Sequence, residues 1–140
     1  MRIVFDTSML VAAARSRTGA SQALLRALPQ PGLTPCLSVA LYLEWQDVLT
    51  RPEHRPPGQS PKDVLQFLRY LAGLCHHQDI HFLWRPFLTD PGDDMVLELA
   101  FAAQAEYIVT HNVRHFAGSE KLGVQAITPG DFHQLLFPKP

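Results

Sequence analysis

The chain has 140 residues, 46% of them apolar and 18% charged, with a formal net charge of -1 and a pI near 6.6. This fits one globular domain over residues 1–140 with a sizeable core; it excludes a disordered chain and a binder that holds polyanions by bulk positive charge. Cys36 and Cys75 are too few for a disulfide framework and form no zinc pattern, no apolar run approaches membrane-spanning length, and no basic-then-apolar leader opens the chain, so a cytoplasmic protein with reduced, buried thiols is expected.

Residues 2–6 read as a strand, because Ile3, Val4 and Phe5 are β-formers, and it stops on Asp6. A helix near 8–14 follows, then a break at Arg15 to Gly19 and a second helix over about 20–28. Leu33 to Leu37 reads as a short strand weakened by Pro35, and Ser38 caps a helix running to Leu49. The proline-rich stretch 51–61 is a loop, and Pro61 suits the first turn of a helix over 61–74. Ile80 to Trp84 is expected to be a strand. Asp90-Pro91-Gly92-Asp93 is turn chemistry opening a helix over 93–104. Strands are expected at 107–110 and 124–127, and Thr128-Pro129 starts a last short helix. The alternation, with no hairpin signal, predicts a three-layer α/β/α sandwich around a mostly parallel sheet.

In such sheets ligands bind at the C-terminal edge of the strands, where Asp6 stands. On the helix over 38–49, Leu37, Leu41, Trp45 and Val48 form an apolar stripe. Glu44 flanks that stripe and Asp47 turns away from it. Two readings of Glu44 stand: a carboxylate reaching water from the helix edge, or one whose charge a cation compensates. On the helix over 93–104, Asp93 projects to the side of Val96, Ala100 and Ala103, and Asp94 points roughly opposite. Asp93 could equally be a helix cap. Ser8 could hold a carboxylate or cap the first helix, and Asn112 could position water or phosphate or simply form a turn. Three carboxylates gathered at one sheet edge repel one another unless divalent cations neutralise them. An all-oxygen ligand set favours Mg²⁺ or Mn²⁺, ions that promote phosphate-ester hydrolysis.

These segments resemble PIN-domain endoribonucleases, most closely the PIN proteins classed as toxin components of bacterial toxin–antitoxin systems, the VapC-like ribonucleases. The resemblance is carried by Ile3-Val4-Phe5-Asp6-Thr7-Ser8, Leu43-Glu44 through Val48-Leu49, and Asp90-Pro91-Gly92-Asp93-Asp94 with Leu97-Glu98-Leu99-Ala100. Tyr107-Ile108-Val109-Thr110-His111-Asn112 with Phe116 continues it, and Ile127-Thr128-Pro129 with Phe132 closes it. It implies a PIN-like fold, an acidic pocket binding Mg²⁺ or Mn²⁺, and cleavage of single-stranded or looped RNA. Asp6, Glu44 and Asp93 take the family's catalytic, metal-holding positions, with Ser8 and Asn112 in support. The family often has a fourth acid at the position of Asn112, and its absence leaves open one-metal chemistry or weak activity. A cognate antitoxin and a homodimer are the protein partners expected.

The second reading, from a different class, is a non-catalytic PIN-fold module that binds RNA or protein. A haloacid-dehalogenase-type phosphatase needs a second Asp where Ser8 stands, and a receiver domain needs acids after its other strands. As RNA contacts, His111, Arg114 and His115 flank Asn112, and Arg15 and Arg17 form a basic rim beyond the first helix. His76, His77 and His81 are expected at a helix end, meeting its carbonyls. Trp45 and Trp84 are expected in the core, as are Phe67, Leu68, Leu71 and Leu74.

Overall fold

The computed structural model describes residues 1–81 and 87–140. Ile3, Val4 and Phe5 are almost fully excluded from solvent, so strand β1 (Arg2–Phe5) runs through the centre of the core. Helices α1 (Thr7–Arg15) and α2 (Ala20–Arg26) lead to β2 (Thr34–Leu37), and α3 (Val39–Leu49) and α4 (Pro61–Leu74) lead to β3 (His76–His77). Helix α5 (Pro91–Ala102) precedes β4 (Tyr107–Val109); β5 (Gln125–Ile127) and α6 (Pro129–Leu136) close the chain. The strands form one parallel sheet in the order β3-β2-β1-β4-β5. From β1 the chain moves outward to β2 and β3, then crosses back to β4. Right-handed crossovers therefore put α1 to α4 on one face and α5 on the other, giving three layers. The reversal makes the β1/β4 boundary the topological switch point, the place where sheets of this kind have their crevice, outside the carboxyl ends of the strands.

The cap expected at Ser38 forms, and Pro61 stands in the first turn of its helix as expected. Ser38 accepts from Leu41 N at 3.2 Å. Ser60 and Asp63 make a capping box with Pro61 in the first turn of α4. Helix α2 stops at Arg26 rather than 28, since Pro29 disfavours a helical conformation at Leu28. Pro35 is tolerated in β2 because β3 pairs only with Cys36 and Leu37, so no ladder partner is lost on that side. Trp45 is fully buried, as are Leu68 and Leu71; Phe67 is 41% exposed, a departure from the expected core.

Helix α5 ends in a Schellman motif: Ala105 N donates to Ala100 O at 2.8 Å and Gln104 N to Phe101 O at 3.1 Å. This places Gln104 at φ 56°, a left-handed conformation that normally takes glycine. Gln104→Gly is expected to stabilise the fold by about 0.5–1 kcal/mol, after the glycine's extra unfolded-state entropy is counted. Urea denaturation measures it; an unchanged midpoint would count against strain at this position.

Two expectations are corrected. The third strand is His76–His77, not a segment beginning at Ile80. Ile80 and His81 carry no regular structure; the remainder of that expected strand, Trp84 included, lies outside the described residues. Strand β3 is two histidines at a sheet edge, so no apolar alternation marks it. His77 Nε2 also donates to Ala72 O at 2.7 Å, meeting a carbonyl at the end of α4 as expected. The second correction is Asp94, which is 2% exposed and accepts from Leu88 N at 2.7 Å. Leu88, before α5, meets the side opposite Val96, Ala100 and Ala103, so residues 96–100 are buried all round the helix.

Among the described residues no helix is long and apolar enough to cross a membrane. Both cysteines are free thiols; Cys36 is buried and Cys75 half-buried. Burial, then the neighbouring Cys36, pushes the Cys75 thiol up to about 12, so it stays protonated and unreactive.

Candidate active site

Asp6 occupies the N-cap position of α1, yet its carboxylate makes no capping bond. Its own N–H donates to Val109 O at 3.0 Å, which extends the β1/β4 ladder to the mouth of the crevice. The side chain, 5% exposed, turns toward β4. There Oδ2 accepts from Ser8 Oγ at 2.7 Å and from Thr110 Oγ1 at 2.7 Å. Of the two roles open to Ser8, the structure therefore has the carboxylate holder and not the cap.

Glu44 approaches from α3. It is half-buried, and its Oε2 accepts from Thr7 Oγ1. Asp47, one turn on, is exposed and pairs with Arg51 at 2.8 Å. Asp93 comes from the first turn of α5. Capping there falls to Asp90, which accepts from Gly92 N at 2.7 Å; Asp93 is left to face the cleft. Gly92 keeps this corner open: a Cβ on it would stand 3.2 Å from Asp90 Oδ1 and 3.7 Å from Glu44 Oε1.

The carboxylates sense one another. Burial first, then the charges of Asp90, Asp6 and Glu44, push the Asp93 carboxyl up to about 6, against the opposing pull of His115. His115 Nδ1 lies 3.5 Å from Asp93 Oδ2. Asn112 enters through its main chain, with its N–H donating to Thr110 Oγ1 at 2.9 Å; its side chain is exposed and caps nothing. His111 N donates to Ser8 Oγ at 3.1 Å, and its ring meets Ser21 Oγ at 3.3 Å. Arg114 is exposed on the same turn.

Arg15 and Arg17 stand apart from this cluster. α1 is nine residues long and rises about 1.5 Å per residue, so its far end is about 13 Å from Asp6. There the two arginines line a groove of about 670 Å³ between α1, α2, α4 and the proline-rich loop, with Arg26 and Phe67. Thr7, Thr110 and Asp90 are the residues around the carboxylates that sequence reasoning missed. Their signal was adjacency alone: a hydroxyl directly after Asp6, another at the end of the strand Tyr107–Val109, and an acid heading the turn before Asp93.

A divalent cation fits this donor set in kind. The groups are oxygens, their charges are mutually repulsive, and burial together with those charges makes the ionised form of Asp93 costlier than an ordinary carboxylate. Among the described residues no three His, Cys, Asp or Glu side chains are gathered closely enough to enclose a metal ion unaided.

A family model described as the PIN domain matches residues 2–114, from β1 through the turn that carries His111, Asn112 and Arg114. Among solved structures, VapBC-1 from nontypeable Haemophilus influenzae matches with a TM-score of 0.64 and 16% identity, over 93% of this chain and 99% of that one. At that identity the likeness speaks for the fold. No match is found among the curated proteins. The family match spans well over half of the chain and the five-stranded sheet agrees with it: this chain belongs to the PIN-domain family.

Proposed function

We propose that the protein is a divalent-metal-dependent endoribonuclease, the toxin of a toxin–antitoxin pair. The observation that carries the reading is the approach of Asp6, Glu44 and Asp93 from three elements, near enough that the charges of Asp6 and Glu44 add to burial and to Asp90 in raising the Asp93 carboxyl to about 6. Family membership and the fold likeness to VapBC-1 support it.

In this reading Asp6, Glu44 and Asp93 hold Mg²⁺ or Mn²⁺, directly or through water. The bound ion supplies Lewis-acid polarisation of a phosphodiester and lowers the pKa of water. The protein's part is to bind and orient. Ser8 and Thr110 fix the Asp6 carboxylate, and Thr7 fixes Glu44. His115 lies against Asp93 and can carry a balancing positive charge there. His111 and Arg114, exposed beside Asn112, face solvent where an RNA phosphate would pass. Arg15 and Arg17 extend a basic rim along the strand, sequence-independent because phosphate contacts position rather than specify. The antitoxin is the protein partner of this reading.

The test is cleavage of single-stranded and hairpin RNA by the purified protein, with Mn²⁺ and with a chelator, beside Asp6→Asn. Metal-dependent cleavage lost in Asp6→Asn is expected. No cleavage under any condition, with Asp6→Asn binding RNA as well as the wild type, would favour the non-catalytic module.

A further inference from the structure

We propose that Ser21, on α2, is a positioning residue for RNA binding, acting through His111; this rests on the endoribonuclease reading above. His111 stands exposed in the turn after β4, one residue before Asn112. Its main chain is held from one side, where its N–H donates to Ser8 Oγ at 3.1 Å. Its ring is held from another, where Nε2 meets Ser21 Oγ at 3.3 Å. Ser21 is distant in the chain and lies buried in the first turn of α2. A hydroxyl carries a single proton, and a buried one needs an acceptor for it. Among the described residues the His111 ring is the one polar partner of that hydroxyl. Ser21 therefore donates and Nε2 accepts.

That direction fixes the chemistry of the ring. With Nε2 accepting, the proton of the neutral imidazole sits on Nδ1. Nδ1 has no partner among the described residues, so His111 offers an N–H donor beside Asn112. Such a donor suits a phosphodiester oxygen, a contact that positions RNA without reading its sequence. A ring already pinned at one nitrogen also loses less rotamer freedom when the strand arrives. The bond brings α2 into the site as well. The same helix carries Gln22 and Arg26 to the groove lined by Arg15 and Arg17, so Ser21 joins the turn beside Asn112 to that basic groove. At 3.3 Å the bond is a long one, which sets its effect at several-fold rather than hundredfold.

The experiment compares wild type, Ser21→Ala, His111→Ala and the double variant as whole chains at about pH 8, where imidazoles are largely neutral, with a thermal melt of each. One readout is the His111 tautomer by ¹⁵N–¹H nuclear magnetic resonance. The other is binding of a fluorescein-labelled single-stranded RNA of random sequence by anisotropy, with a chelator present so that the RNA is not cut. The Nδ1–H tautomer is expected in wild type, and Ser21→Ala is expected to lose that preference. Ser21→Ala and His111→Ala should each weaken RNA binding about 3- to 10-fold, and the double variant should bind no more weakly than His111→Ala. A wild-type His111 with its proton on Nε2 overturns the proposal. So does a Ser21→Ala protein that melts cooperatively and binds RNA like wild type, and so do losses that add in the double variant. Should Ser21→Ala not fold, the wild-type tautomer and His111→Ala decide, because unchanged RNA affinity in His111→Ala overturns the proposal. Wild type that binds no RNA overturns the endoribonuclease reading and with it the role of Ser21, while the tautomer still reports separately on the bond.

Discussion

Glu44→Gln is expected to lower Mn²⁺-dependent RNA cleavage at least about a hundredfold, while Asp47→Asn, three residues along the same helix, leaves it within about twofold. The first figure follows from losing a group that meets the ion, which should exceed the 10- to 100-fold that losing an orienting partner costs. Glu44 is half-buried at the crevice and held by Thr7; Asp47 stands in water with Arg51. Gln keeps the volume and can still accept from Thr7 Oγ1, so the melting temperature should barely move. An exposed ion pair such as Asp47–Arg51 contributes little either way. Rate measurements on the two variants check the pair. Equal losses in both would place the chemistry elsewhere, and no loss in either would remove Glu44 from the site.

The second large effect is on stability. Asp93 has an ordinary carboxylate pKa of 3.8 when unfolded and about 6 in the fold. Between those values the folded protein holds a proton that the unfolded chain does not, so stability contributed at this residue falls as pH rises from about 4 to about 6. The fold is then best served by a neutral Asp93, or by a cation beside the charged one. Mn²⁺ at a hundred times its Kd should therefore add about 2.7 kcal/mol at pH 7.5, and much less at pH 4.5, where Asp93 is protonated. Asp93→Asn should flatten the pH dependence between 4 and 6 relative to wild type and lose the Mn²⁺ response. Thermal melts across pH, with and without Mn²⁺, measure both. Equal Mn²⁺ stabilisation at pH 4.5 and 7.5 would contradict this account of Asp93.

Where the sequence was legible, a local rule and a tertiary demand coincided. Asp6 ends a β-branched and aromatic run that must be buried, so strand and crevice position follow together. Ser38 and Pro61 announce helix starts because capping and first-turn preferences are local. Glu44 and Asp47 separate cleanly because α3 has one wet side. The same reasoning failed on Asp94: helix phase assigns a solvent side only if one exists, and the chain around Leu88 covers it. Strand β3 was hidden because a two-residue edge strand of histidines is defined by its neighbour, not by its own apolar pattern. Thr7 and Thr110 were passed over for a related reason. A hydroxyl beside a strand end looks like turn chemistry until a neighbouring helix, for Thr7, or the partner strand, for Thr110, brings a carboxylate to it. Asn112 was weighed for its side chain, whereas the structure gives its main-chain N–H the contact with Thr110.

The central claim is that Asp6, Glu44 and Asp93 share a divalent cation, and anomalous diffraction from crystals grown with Mn²⁺ tests it most directly. The account predicts a peak at the β1/β4 crevice within coordination distance of the Asp6 carboxylate and of Glu44 or Asp93, directly or through one water. Data that place Mn²⁺ only elsewhere, for instance on the surface histidines His76 and His77, or that show no peak at saturating Mn²⁺, would contradict it.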